Sequence, residues 1–170
     1  HEHIRFCAAF IAADPERDLQ ANHLLKNWTA LAVFAATTDE PARVFPALAR
    51  RVTRSLDQLV LDDGGHAERS PMYHTLAVAD LDLLRASRAL PGIAAELDVV
   101  ADRLRQALAL LTHPDGDIAL FNDAWLDGAP RPEILHVQPA SAGASVLPDT
   151  GYVRLGTNDV AMIFDCGDCG

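Results

Sequence analysis

Apolar residues recur at helical spacing from about His3 to Leu111, which predicts a largely helical region. Asp14-Pro15 ends the first helix, because the residue before a proline resists the α conformation. Ser70-Pro71 favours a helix start, since serine is a good N-cap and proline suits the first turn. We predict four or five helices, which cover about residues 4–14, 18–37, 39–63, 71–91 and 93–111.

The composition changes after His113, where proline, glycine, serine and aspartate become frequent. Residues 151–156 and 160–165 read as two short strands joined by the turn Thr157-Asn158-Asp159. We therefore divide the chain into a helical region at 1–113, a linker and irregular segment at 114–150, and a sheet region at 151–170. Because the chain begins within a predicted helix and stops directly after a predicted strand, we expect both ends to be cuts in a longer polypeptide.

The charge excludes one class of partner. The chain has 14 Lys+Arg and 24 Asp+Glu, a net charge of −10, and Lys26 is its one lysine. No basic stripe is present for a phosphate backbone, so we expect no nucleic-acid partner. The apolar runs are shorter than the roughly 20 residues of a membrane helix, so we expect no membrane span.

The cysteines offer little chemistry. Cys7, Cys166 and Cys169 form neither a disulfide framework nor a complete zinc site, which requires four ligands. We predict no metal site and no cofactor in this segment. The two-residue spacing of Cys166 and Cys169 leaves a metal or redox module as a minor alternative.

Polar residues form one edge of the second predicted helix. Positions three and four apart are neighbours on a helix, so Asn22, His23, Lys26 and Asn27 share a face on which an anion can bind. The alternative is an ordinary solvated helix face, with the two asparagines near a helix end.

A glycine-bearing loop, residues 62–70, precedes the fourth predicted helix. Tyr73 falls in the first helical turn, where the helix dipole favours a phenolate. A neighbouring cation such as Arg69 acts in the same direction. A tyrosine in such a place can remove a proton and return it to a leaving group. The alternative is that Tyr73 packs its ring against a neighbouring helix and leaves its hydroxyl in water.

Three stretches resemble the heparinase II/III family of polysaccharide lyases: Asn22-His-Leu-Leu-Lys-Asn27, Asp63-Gly-Gly-His-Ala-Glu-Arg-Ser-Pro-Met-Tyr-His74 and, less specifically, Asp115-Gly-Asp-Ile-Ala-Leu-Phe-Asn-Asp123. The resemblance implies a mainly α fold, with antiparallel α/α-toroid helices followed by the first strands of a β-sandwich. Residues 151–170 would then be the truncated start of that β-sandwich.

The resemblance also implies β-elimination at a uronic acid in a polysaccharide. Asn22 and His23 match the pair that neutralises the sugar carboxylate, and Tyr73 matches the catalytic base and acid. An amide and an imidazole are suitable donors for charge that develops on a carboxylate. The residues expected to contact substrate or to orient the tyrosine are Lys26, His66, Glu68, Arg69 and His74.

The lyase hypothesis carries further expectations. The partner would be an acidic polysaccharide or oligosaccharide, the location periplasmic or secreted, and a homo-oligomer is compatible with it. Zinc ligands would lie in the missing part of the β-sandwich, so this piece alone is expected to be inactive. The rival hypothesis is a non-catalytic carbohydrate-binding or scaffold protein with the same helical fold.

Overall fold

The computed structural model describes residues 2–16, 21–38, 47–157 and 159–167. In these ranges the protein is mainly helical, as predicted, and five helices precede one small sheet. The helices are α1 (Glu2–Ala13), α2 (Ala21–Thr37), α3 (Leu48–Leu59), α4 (Pro71–Ser87) and α5 (Ala94–Leu110), and the strands are β1 (Gly143–Leu147), β2 (Tyr152–Gly156) and β3 (Ala161–Asp165). No helix among these residues has the length and apolar character needed to cross a bilayer.

Proline and serine set two helix ends where the sequence predicted them. α1 ends just before Asp14, and α4 begins at Pro71. The Ser70 Oγ accepts a hydrogen bond of 3.4 Å from the Tyr73 amide, which gives one of the first N–H groups of α4 a partner. The predicted starts of the second and third helices, at residues 18 and 39, lie outside the described residues.

The fourth helix is shorter than predicted, because Ser87 satisfies backbone groups at its end. The Ser87 Oγ donates to the Leu84 carbonyl at 2.7 Å and accepts from the Ala89 amide at 3.2 Å. Arg88 then adopts a left-handed conformation, with φ of 53°, which stops the helix. A short 3-10 helix, Pro91–Ile93, leads into α5.

The chain forms two compact units. The first unit contains residues 1–58 and 80–98, and the second contains residues 59–79 and 99–170. Each has its own buried apolar side chains. Those of the first unit include Leu25, Trp28, Leu31, Val52, Leu56, Leu81 and Leu84, and those of the second include Leu59, Met72, Val78, Leu104, Leu108, Leu111 and Tyr152.

The sheet belongs to the second unit and has two unlike faces. Its strands are antiparallel in the order β1-β2-β3. On one face Leu147 and Tyr152 are paired in register and pack against Ala107 and Leu111. On the other face the register aligns apolar side chains that are exposed to solvent, among them Val146, Leu155, Met162 and Phe164.

The two predicted strands are confirmed as β2 and β3, but β1 was missed. It lies within residues 114–150, which the sequence analysis assigned to a linker and irregular segment. Its sequence, Gly-Ala-Ser-Val-Leu, begins with three small residues that show no apolar alternation. β1 is stabilised by pairing with β2, and no local sequence pattern predicts that pairing.

Neighbouring residues of β1 provide a matched test of this register. Leu147 is 5% exposed and Val146 is 60% exposed. We expect Leu147→Ala to lower the free energy of unfolding by about 2–4 kcal/mol, since it leaves a cavity beside Tyr152. Val146→Ala should change it by no more than about 0.5 kcal/mol. Denaturant unfolding measures both values, and equal losses would contradict the register.

Candidate functional site

The carboxylate of Glu16, a residue that precedes α2, contacts the polar edge of that helix. The Glu16 Oε1 lies 3.5 Å from the Nδ1 of His23, whose side chain is 57% exposed. The Asn27 Nδ2 donates to the Glu16 Oε2 at 2.7 Å and to the His23 carbonyl at 2.8 Å. Asn22 is half-buried one position before His23. Because Glu16 adds negative charge between these side chains, the edge is less suited to an anion than its sequence suggested.

Lys26, on the same edge, forms an ion pair within the first unit. Its Nζ donates to both carboxylate oxygens of Asp80, at 2.8 and 2.9 Å. Burial raises the pKa of Asp80, and the contact with Lys26 offsets only part of that increase. Asp80 therefore already neutralises the positive charge of Lys26, the group that was predicted to bind a substrate carboxylate.

Asp63 organises the glycine-bearing loop of the second unit. Its carboxylate accepts hydrogen bonds of 2.7–2.8 Å from the amides of Gly65, Asp149 and Thr150 and from the Thr150 hydroxyl. Burial raises the pKa of this carboxyl, but the hydrogen bonds outweigh burial and hold the pKa of Asp63 below its usual value. A Cβ at Gly65 would overlap the Thr150 hydroxyl, so the close approach requires glycine.

His66 and His74 lie in the interior of the second unit, at 1% and 0% exposure. The His74 Nε2 donates to the Leu104 carbonyl at 2.8 Å, and the His66 Nδ1 accepts from the Glu68 amide at 3.1 Å. Burial lowers the pKa of His66 to about 3 and that of His74 to about 4. Both imidazoles are neutral at pH 7 and face protein rather than solvent, so this structure gives neither the exposure that substrate contact requires.

Tyr73 and Glu68 line one cavity in the second unit. The cavity has a volume of about 400 Å³, and Ala67, Asn122 and Asp123 complete its lining. The structure brings Glu68 and Tyr73 together at this cavity, and the roles predicted for them stay predictions. Arg69, which is in a left-handed conformation with φ of 53°, is not part of this lining.

Asn122 lines that cavity and Tyr152 binds the Arg69 carbonyl, and neither residue was predicted as part of a site from the sequence. The Tyr152 Oη donates to the Arg69 carbonyl at 2.5 Å, and the Asn122 Nδ2 donates to Asp165 at 2.8 Å. Burial and the charge of Asp165 raise the pKa of Tyr152 to about 12, so its phenol stays protonated. No local sequence signal marks these contacts, because they join residues more than 40 positions apart.

Metal ligands do not cluster in the part of the chain that the structure describes. Cys7 and Cys166 are exposed free thiols. Cys169, the second member of the predicted cysteine pair, lies outside the described residues, so the pair cannot be placed.

Comparison with known proteins gives one significant relationship. The chain is 30% identical over 162 residues to FtsZ-localized protein C of Caulobacter vibrioides (strain NA1000 / CB15N). The alignment covers 92% of this chain and 27% of that protein, so the chain spans about a quarter of the length of the curated relative it matches. No protein-family model matches the chain. No solved structure matches it significantly.

These comparisons overturn the functional prediction. The assignment to heparinase II/III-type lyases is wrong, because no family model of lyases matches and the curated relative is named for localisation with FtsZ. The expectations of β-elimination and of a carbohydrate-binding alternative are corrected with it. The roles given to Asn22, His23, Tyr73 and their neighbours came from that resemblance and remain untested. The chain is similar to part of FtsZ-localized protein C.

Proposed function

We propose that the protein localises with FtsZ and acts in bacterial cell division through contacts with other proteins. The observation that carries the proposal is the 30% identity to FtsZ-localized protein C, which extends over 92% of this chain. An alignment of that extent includes both compact units rather than one short motif.

The second unit supports a binding role more than a catalytic one. Its most strongly perturbed histidines, His66 and His74, are held neutral by burial, and Asp63 is saturated with hydrogen bonds from its own unit. Shifted pKa values also arise in hydrogen-bond networks that only stabilise the fold. The hydrogen-bond partners of these three side chains are groups of the second unit itself. Exposed apolar side chains such as Met162 and Phe164 are typical of surfaces that contact other macromolecules.

Several finer expectations remain predictions within this proposal. They are the α/α toroid that leads into a β-sandwich, the division at residues 113 and 150, the homo-oligomer, and zinc in a longer form of the protein. A structure of the full-length protein, with metal analysis and a mass measurement in solution, tests them together.

Imaging of the full-length protein tests the proposed function. A fluorescent fusion expressed at its natural level should concentrate at the same positions as a differently coloured FtsZ, and the fluorescent protein alone should not. Two proteins that act together must share a compartment, so the same images test the expected periplasmic or secreted location. A fusion spread evenly through the cell, or found only outside the compartment of FtsZ, would contradict the proposal.

A further inference from the structure

The first unit carries a groove between α2 and α3 that no motif of the sequence analysis included. It has a volume of about 290 Å³. We call it the basic groove, and its lining residues are Leu24, Trp28, Arg51, Arg54, Ser55 and Gln58. A space of this size holds one or two side chains rather than a folded element.

Arg51 is held in place by an aromatic ring. Its guanidinium carbon lies 4.8 Å from the centroid of the Trp28 ring, a cation–π distance. Trp28 is 3% exposed, so the ring is fixed by the core of the first unit. A cation fixed in this way loses little side-chain freedom when it binds an anion.

Arg54 lies one turn further along α3, lines the same groove and is exposed. The ion pairs found among the described residues involve other side chains, so no described carboxylate neutralises Arg51 or Arg54. The groove is therefore a local positive site in a protein whose net charge is −10. Salt limits the repulsion from the rest of the protein to about 8 Å, so the two nearby guanidinium groups dominate at short range.

We propose that the basic groove binds a carboxylate of an acidic peptide segment in a partner protein. The guanidinium groups of Arg51 and Arg54 would donate to the carboxylate, and Leu24 would contact an adjacent aliphatic side chain. A sugar fits less well, because Arg51 covers a ring that is already buried and so cannot serve as a stacking platform. The inference is independent of the proposed function, since the chemistry of the groove does not name the partner.

Fluorescence anisotropy with the full-length protein tests this inference. The probe is a short fluorescein-labelled peptide of alternating glutamate and leucine, and its counterpart has glutamine in place of glutamate. We expect saturable binding of the glutamate peptide alone. Arg54→Gln should weaken that binding about tenfold, the effect of losing one charge-assisted hydrogen bond. A glutamate peptide with an amidated C-terminus tells whether a side-chain or a terminal carboxylate is bound.

Arg50 offers a matched control on the same helix, because it is exposed but does not line the basic groove. Arg50→Gln makes the same change in net charge and should alter the binding by less than about twofold. Arg51→Gln tests the second cation, and circular dichroism establishes whether that variant is folded. Equal effects of Arg50→Gln and Arg54→Gln, no saturable binding, or tighter binding of a glucuronate oligosaccharide would each overturn the inference.

Discussion

We expect the protein to lose several kcal/mol of its free energy of unfolding between about pH 6.5 and pH 4, because two buried histidines resist protonation. The folded state lowers the pKa of His66 to about 3 and that of His74 to about 4, from 6.5. The unfolded chain therefore binds more protons throughout this interval, and stability falls as the pH falls. At about 1.4 kcal/mol per pH unit, the resistance of each histidine to protonation lowers the free energy of unfolding at pH 4 by on the order of 3 kcal/mol.

Two substitutions separate this effect from general acid denaturation. His74→Gln keeps a donor for the Leu104 carbonyl, and His66→Asn keeps an acceptor for the Glu68 amide, but neither side chain titrates. Each should flatten the dependence of stability on pH between 6.5 and 4. His3→Gln, at an exposed position of α1, is the control and should leave the profile unchanged. Urea denaturation at a series of pH values measures the free energy of unfolding as a function of pH. If neither His74→Gln nor His66→Asn changes the slope of that profile, the two histidines are not the cause of the pH dependence.

Replacing Arg154 with alanine should destabilise the protein by about 3 kcal/mol. The side chain is 3% exposed and donates to three backbone carbonyls, those of Leu110, Thr112 and Ala140, at 3.3, 2.7 and 3.3 Å. Alanine leaves these acceptors without their donor and opens a cavity behind β2. Part of the cost is offset because a buried cation, whose pKa burial already lowers, is removed.

Arg154→Lys is the matched variant, since it keeps the charge but cannot reach three carbonyls with a planar group. It should lose less stability than Arg154→Ala and more than a surface substitution does. Chemical denaturation compares the three proteins under one set of conditions. If Arg154→Ala costs no more than about 0.5 kcal/mol, the guanidinium does not hold α5 and the sheet together as described.

Local patterns in the sequence were sufficient for most helices and for two strands. Ser70-Pro71 marks the start of α4 because capping and proline geometry act within a few residues. The short apolar runs and the turn between them that mark β2 and β3 are likewise local. β1 was missed because it depends on pairing with β2, and the early end of α4 was missed because it depends on the hydrogen bonds of Ser87. α3 also ends earlier than predicted, at Leu59 rather than near residue 63.

Contacts between distant residues could not be predicted from one sequence. Asp63 binds Thr150 across 87 positions, and Arg154 binds Thr112 across 42. The burial of His66 and His74 follows from packing between distant parts of the chain, which their spacing near Tyr73 does not reveal. The basic groove also needs the pairing of α2 with α3, which brings Trp28 beside Arg51.

Depletion of FtsZ in cells that carry a fluorescent fusion of the full-length protein shows whether the position of this protein depends on FtsZ. We expect the fusion to be concentrated with FtsZ beforehand and to disperse as FtsZ disappears, while the amount of fusion protein stays constant. Concentration that persists at the same positions without FtsZ, or an even distribution from the start, would contradict the proposal that this relative of FtsZ-localized protein C acts with FtsZ.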